Sequence, residues 1–320
     1  MLTWKYQRII LIISTILLIG KFIAYFITNS AGVYTDAMES IVNVVAGGVS
    51  LMAIFWANRP KDSDHPFGHG KIEMISASFE GLLIILAGGA IIFEGIKRLF
   101  SPADIKELDL GIWIVFAAGL INYIVGAFCI RKGKKNSSMA LVAEGKHLQS
   151  DTYSSIGLII GLIVVKISGI KIIDSCLALL FGVIIIITGI KILKKTISNL
   201  VDKVDEKELE SIAQDINNSK NDNWIDIHNL RVVSYGSSLH IDCDLTLPSF
   251  YTIKQGHEET EKLRKAIENN RPSLCFTVHS DACDESNCMQ CSVKNCNYRQ
   301  YDCSSPFVFN VKNLTIQQES

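Results

Sequence analysis

Six long apolar runs, at residues 9–27, 37–56, 75–96, 112–130, 141–165 and 172–192, fill the N-terminal part of the chain. A helix needs about 20 apolar residues to cross the hydrocarbon of a bilayer. The pattern therefore predicts a six-helix transmembrane domain over residues 1–202. The opening stretch "MLTWKYQRIILIISTILLIG" has the outline of a signal peptide, but it lacks an A-x-A-like cleavage site and five further runs follow it; it reads as the first membrane helix. Beyond the sixth run the period changes. Residues 205–217 form an amphipathic helical pattern, and "HNLRVVSYGSSLHIDCDLTLP" alternates like two strands around a turn at Gly236. A charged helix over 253–269 and a third strand, "SLCFTVHS", follow. The order α-β-β-α-β predicts a small α+β domain over residues 203–283. Residues 284–320 are left as a separate cysteine-rich tail.

Composition supports this division. The chain has 320 residues, 48% of them hydrophobic, too apolar for an ordinary soluble enzyme. Up to residue 202 there are 19 Lys and Arg against 14 Asp and Glu, a net of +5; the remainder has 12 against 18, a net of −6. Basic residues crowd one set of loops: Lys5 and Arg8, then Arg59, Lys61 and Lys71, then "RKGKK" at 131–135. The opposite loops hold chiefly Lys97, Arg98, Lys106, Lys166 and Lys171. The positive-inside bias places both termini in the cytoplasm of a multi-pass protein, in a cell (inner) membrane. The nine cysteines are then expected as reduced thiols or metal ligands rather than disulfides.

Polar residues interrupt the apolar runs in a pattern. His147 and Asp151 lie four residues apart, on one helix face, and Glu39 and Asn43 repeat that spacing in the second run. Either pair alone could snorkel to water from a helix end. Two pairs with matching spacing can instead converge as four nitrogen and oxygen donors, suited to zinc and other first-row divalent metals. Glu80 and Glu94 have no ligand-type residue at i+4 and are expected at the membrane interface. The loop "DSDHPFGHGK" sets Asp62, Asp64, His65 and His69 close together, either as a weak divalent-ion site or as a solvated turn shaped by Pro66 and Gly68. "GLIIG" at 157–161 reads as a helix-packing face.

"YTDAMESIVNVVAGGVSL", "HPFGHGKIE" and "HLQSD" together resemble the cation diffusion facilitator family of divalent metal/proton antiporters, over residues 8 to 283. The resemblance implies a homodimer, six spans per protomer and a metallochaperone-like cytosolic domain. It places the transport site at Glu39, Asn43, His147 and Asp151, and a loop site at His65 and His69 with Asp62. In the cytosolic domain it places metal positions at His228, Asp244, His257, His279 and Asp281, with His240 off those positions. Lys71 and Asp202 match a junction ion pair. Two departures stand out. The second-span pair is usually Asp or His followed by Asp, whereas here it is Glu39 and the neutral Asn43; and the tail, with Cys283, Cys288, Cys291 and Cys296 in a C-x4-C-x2-C-x4-C spacing, is an addition that could wrap one tetrahedral metal.

The function these features imply is secondary export of a divalent cation from the cytoplasm in exchange for protons across the bilayer. Zinc is the family's commonest cargo, with manganese, iron, cobalt and nickel as the other candidates. Protons, the metal and a second copy of the chain are the expected partners; no nucleic acid is. Metal binds neutral imidazole and ionised carboxylate, so loading releases protons, and His147 is the candidate exchanger. No G-x-x-x-x-G-K-[ST] loop is present for ATP, and H-E-x-x-H and G-x-S-x-G are missing, which argues against an enzyme. The alternative is a membrane-anchored metal or redox sensor that uses the cysteine tail.

Overall fold

The computed structural model describes residues 2–101, 105–135, 139–235, 238–268, 271, 274–294 and 296–317. The chain forms two compact units: Met1–Trp56 with Ile72–Ile197, and Ala57–Lys71 with Ser198–Ser320.

The first unit contains six helices: α1 (Leu2–Thr28), α2 (Ala31–Ala57), α3 (Lys71–Phe100), α4 (Leu108–Lys135), α5 (Met139–Ser168) and α6 (Ile172–Leu200). All six are long and apolar enough to cross a membrane. Water cannot solvate a helix end inside a bilayer, so the exposed N–H groups at the start of α2 need protein partners. Asp174 at the start of α6 supplies them. Its carboxylate accepts from Ala31 N–H at 2.6 Å, Gly32 N–H at 3.1 Å and the Ser30 hydroxyl at 2.7 Å. Further along α2, Asp36 is buried against Lys21 of α1 at 2.8 Å and accepts from Ser155 of α5 at 3.2 Å.

Small residues set the helix contacts, as expected where lipid removes most of the hydrophobic drive to associate. A Cβ built on Gly88 of α3 would sit 3.1 Å from Gly182 O of α6, and one on Gly126 of α4 would sit 2.7 Å from Gly145 O of α5. Gly157 and Gly161 face Phe181 and Leu177 of α6, so "GLIIG" is a packing face.

The second unit is built on a three-stranded sheet of order β1 (Asp226–Tyr235), β2 (Ser238–Leu247) and β3 (Leu274–Ala282). β1 and β2 are antiparallel; α8 (Ile253–Glu268) crosses over to bring β3 parallel to β2. Alternation buries Ile227, Val232, Ile241, Leu245 and Leu247 against α8 and α7 (Glu206–Ser219), which contribute Ile212, Ile216, Leu263 and Ile267. The turn expected at Gly236 lies outside the described residues, as do Asn269 and Ser273 at the edges of the expected helix and strand.

The segment after residue 283, expected as a separate tail, folds back onto this core. Phe309 and Leu314 of the short α9 region (α9, Val311–Leu314) are fully buried in the same cluster as Trp224. The Asn217 amide donates to Phe309 O at 2.5 Å, and Asn229 N–H donates to Ile316 O at 3.0 Å. With Phe307 and Val311 packed partly buried beside Phe309 and Leu314, these apolar side chains gain more by closing the sheet's core than by remaining in water.

Candidate metal sites

In the first unit, Glu39 and Asn43 of α2 and His147 and Asp151 of α5 line one cavity of about 270 Å³. Asn43 Nδ2 donates to Asp151 Oδ2 at 2.7 Å, and His147 Nε2 lies 3.3 Å from Asn43 Oδ1 and 4.0 Å from Asp151 Oδ2. The amide thus turns its nitrogen to the carboxylate and its oxygen to the imidazole, the only orientation that satisfies both. Glu80, expected at the membrane interface, lines the same cavity with Ile84 and Ala87 of α3. Sequence spacing misses it because its helix carries no second ligand-type residue one turn away; its position well inside the third apolar run was the available signal. Glu94 instead pairs with Arg98 at 2.8 Å and with Lys97 at 3.8 Å.

The second unit holds two groups of three ligand atoms within 4.8 Å of one another among the described residues. The first is Asp62, His65 and His69. Asp62 Oδ1 accepts from His65 N–H at 2.7 Å and meets His65 Nδ1 at 3.0 Å, while its Oδ2 lies 3.4 Å from His69 Nε2. Desolvation pushes the Asp62 carboxyl up, but the combined pull of hydrogen bonds from the His65 ring and backbone leaves it below its ordinary range. Asp64 stands outside the group, donating its N–H to Asp62 at 3.1 Å. Phe67 stacks on Tyr235 with ring centroids 5.5 Å apart and meets the edge of His240, which docks this loop on the β1–β2 ends. His240 is thereby a packing residue of β2. Lys71 Nζ lies 2.9 Å from Asp202 Oδ1 and 4.6 Å from the centre of the Tyr235 ring.

The second group is His228, Asp244 and Asp281. It follows from register: His228 pairs with Asp244, which pairs with His279, and the neighbouring row is Asp226, Thr246 and Asp281. Residues two apart share a face, so all of these side chains lie opposite the core. His228 Nε2 is 3.8 Å from Asp244 Oδ2 and 3.7 Å from Asp281 Oδ2, and His279 Nε2 is 3.1 Å from Asp281 Oδ1. The other ring nitrogen, His228 Nδ1, meets the buried Asp226 carboxylate at 2.7 Å, which fixes the ring and leaves Nε2 for a ligand. Asp226 is itself held by Thr246 at 2.9 Å and by the Asn287 amide at 3.4 Å. Sequence reading missed Asp226, although its i, i+2 relation to His228 was visible. A bulge after His228, with Asn229 at φ 52°, turns the Asn229 amide onto Asp244. Two of the five expected positions are not part of this group: His257, exposed on α8, and His279, exposed on β3 and turned to Asp281.

Cys283, Cys288, Cys291 and Cys296 all line a third cavity, of about 200 Å³. Burial pushes the Cys291 thiol up, the Val293 backbone and the Arg299 guanidinium pull it back, and the neighbouring Cys283 and Cys296 push it up again.

The family model for the cation efflux transmembrane domain matches residues 8–201, and that for the cation efflux protein cytoplasmic domain matches residues 204–283. The chain is 32% identical over 263 residues to the uncharacterised transporter sll1263 of Synechocystis sp., covering 82% of this chain and 84% of that protein. It is 28% identical over 275 residues to the manganese efflux system protein MneP of Bacillus subtilis, covering 82% and 90%. It is 25% identical over 273 residues to the cation-efflux pump FieF of Pectobacterium atrosepticum, covering 84% and 89%. With both domains matched in order, and six helices able to span a bilayer, the chain belongs to the cation diffusion facilitator family of multi-pass membrane transporters that move divalent metal cations, and is not an enzyme.

Proposed function

We propose that this transporter exports zinc or manganese from the cytoplasm in exchange for protons, working as a homodimer with both termini cytoplasmic in a cell membrane. The observation that carries the reading is the convergence of Glu39, Asn43, His147 and Asp151 on one cavity between α2 and α5. Metal is the cargo there, not a resident cofactor. Two carboxylates, an amide oxygen and an imidazole give an oxygen-rich donor set. Zinc is the family's commonest cargo; manganese is favoured by the oxygen donors and by the likeness to a manganese efflux protein. The ligating forms are neutral imidazole and ionised carboxylate, so loading from the cytoplasm releases protons, and protonation from the far side expels the ion. Glu80 adds a carboxylate on the cavity wall that attracts a cation toward the four ligands. The match to the cytoplasmic-domain model supports assembly as a homodimer.

The test is flux in reconstituted vesicles across zinc, manganese, iron, cobalt and nickel, with internal pH recorded. Metal entry accompanied by opposite proton movement, and abolished in Asp151→Ala, is the expected result. Metal entry without proton movement would remove the exchange, and full transport by Asp151→Ala would remove the site.

A further inference from the structure

Four of the nine cysteines line one cavity at the end of β3, with no three of their sulfurs all within 4.8 Å of one another, and nothing in the transport cycle uses them. Cys283 continues the face of β3 that carries His279 and Asp281. Its N–H bonds to Leu247 O at 2.9 Å, extending the ladder, and Ser249 N–H points at its sulfur at 3.4 Å. Cys288 and Cys291 bracket a tight turn in which Cys291 N–H donates to Cys288 O at 3.3 Å. Such a C-x2-C unit lets two sulfurs reach a single ion. Cys296 packs with Cys283 against an apolar patch of Ile225, Cys291 and Val293. All nine cysteines are free thiols in the structure.

Arg299 organises this segment where regular structure is lacking. Its guanidinium donates to the carbonyls of Val293 at 2.7 Å, Cys291 at 3.1 Å, and Cys288 and Tyr301 at 3.4 Å, and lies 3.8 Å from Cys291 Sγ. Phe250 stacks on Tyr298 with centroids 5.8 Å apart, tying the same segment to the loop after β2. The return of Phe309 and Leu314 to the core then anchors the far end.

We propose that Cys283, Cys288, Cys291 and Cys296 form a closed tetrahedral site for one thiophilic divalent metal ion of the zinc class. The site is separate in ligand chemistry from the imidazole and carboxylates of His228, Asp244 and Asp281. Four thiolates on a divalent ion leave two negative charges, and the Arg299 guanidinium is the adjacent counter-charge. Ile225 and Val293 form an apolar wall on the side of the buried Cys291, while the other three sulfurs are partly exposed. Zinc–sulfur bonds of about 2.3 Å require less room than the cavity provides, so binding draws the Ser286–Gln290 turn inward. The role is structural, since all four positions are protein sulfurs and none is left open for exchange.

The full-length protein, purified in detergent under reducing conditions, is titrated with cobalt(II) alone. Intense thiolate-to-cobalt charge-transfer absorption is expected, retained in Cys303→Ser and lost in the Cys288→Ser/Cys291→Ser double variant. Absence of the band in the wild type, or its persistence in the double variant, would overturn the assignment. Because the double variant can also fail by misfolding, a second measurement uses the wild type. Zinc should slow iodoacetamide alkylation of these four thiols by about tenfold or more, since a metal-bound thiolate is no longer a free nucleophile, and leave Cys275 and Cys303 unchanged. Equal protection of Cys303, or no protection, would overturn it; acid-labile sulfide in the purified protein would overturn the single-ion form. Neither readout depends on transport, so failure here and failure of the exchange mechanism are separable.

Discussion

Lys21 and Asp36 sit 2.8 Å apart with side chains 3% and 4% exposed, and Asp36 Oδ2 has no hydrogen-bond partner among the described residues. A buried charge that loses its partner is far more costly than the pair is stabilising. Lys21→Met should destabilise the first unit by about 3–5 kcal/mol, and adding Asp36→Leu should recover most of the loss. Thermal unfolding of the detergent-purified protein reads both; an unrecovered double variant would mean that Asp36 has a task other than pairing. At the proposed cargo site, Asn43→Asp adds a charge and a hard oxygen next to Asp151, which the Asn43 amide meets at 2.7 Å. Binding should tighten, and the ranking across a metal panel should change. An unchanged ranking would show that residue 43 does not touch the ion.

Single elements carry their own tests. Gly88 and Gly89 are neighbours on α3, yet a Cβ on Gly88 would come within 2.6 Å of Ile186 and 3.1 Å of Gly182 O, whereas one on Gly89 meets nothing within 4 Å. Gly88→Ala should lower the unfolding temperature and Gly89→Ala should not. On α8, Glu259 accepts from Trp224 Nε1 and Asn221 at 3.0 Å and pairs with Lys262 at 2.8 Å. Burial pushes its carboxyl up, but these donors hold it below its ordinary value of 4.5. Its stabilising contribution is therefore present above pH 4.5 and is lost as pH falls through the lower folded value. Glu259→Gln should flatten the acid side of the second unit's denaturation profile, followed by Trp224 fluorescence with the other three tryptophans replaced by Phe. Elements were legible where one period dominated: continuous apolar runs gave six helices and alternation gave the strands, while His228, Asp244, His279 and Asp281 came from the family resemblance and share one sheet face through the register of three strands. Phe309 and Leu314 were not legible, because the short apolar cluster of residues 307–316 is no longer than one strand or helix turn and only the assembled sheet shows what it covers. Glu80 escaped for a related reason: it reaches the cavity from a third helix, and spacing within one helix says nothing about which others converge.

Over the whole molecule, the returning C-terminal segment makes the second unit larger than residues 203–283. Phe309→Ala should destabilise that unit by about 3–5 kcal/mol, although it lies outside the span of the matched domain. Urea denaturation under the Trp224 probe measures it, and a loss below about 1 kcal/mol would mean the segment is an appendage. Lys71 and Asp202 join residues far apart in sequence, with the ammonium also over the Tyr235 ring. Charge reversal at either position should slow transport, and reversal at both should restore part of it. Additive losses in that double-mutant cycle would show no coupling.

The Asn43–Asp151 hydrogen bond also has a kinetic side. An ion that takes Asp151 Oδ2 as a ligand strips the Asn43 amide hydrogen from it, and an ion that leaves returns the oxygen to that amide rather than to bulk water. Arrival and departure are then partner exchanges at one oxygen, with a charge-assisted hydrogen bond of about 1.5–3 kcal/mol opposing long residence. A carrier cycles no faster than it lets go, so at the proposed cargo site the neutral side chain at position 43 is expected to shorten dwell time in favour of turnover.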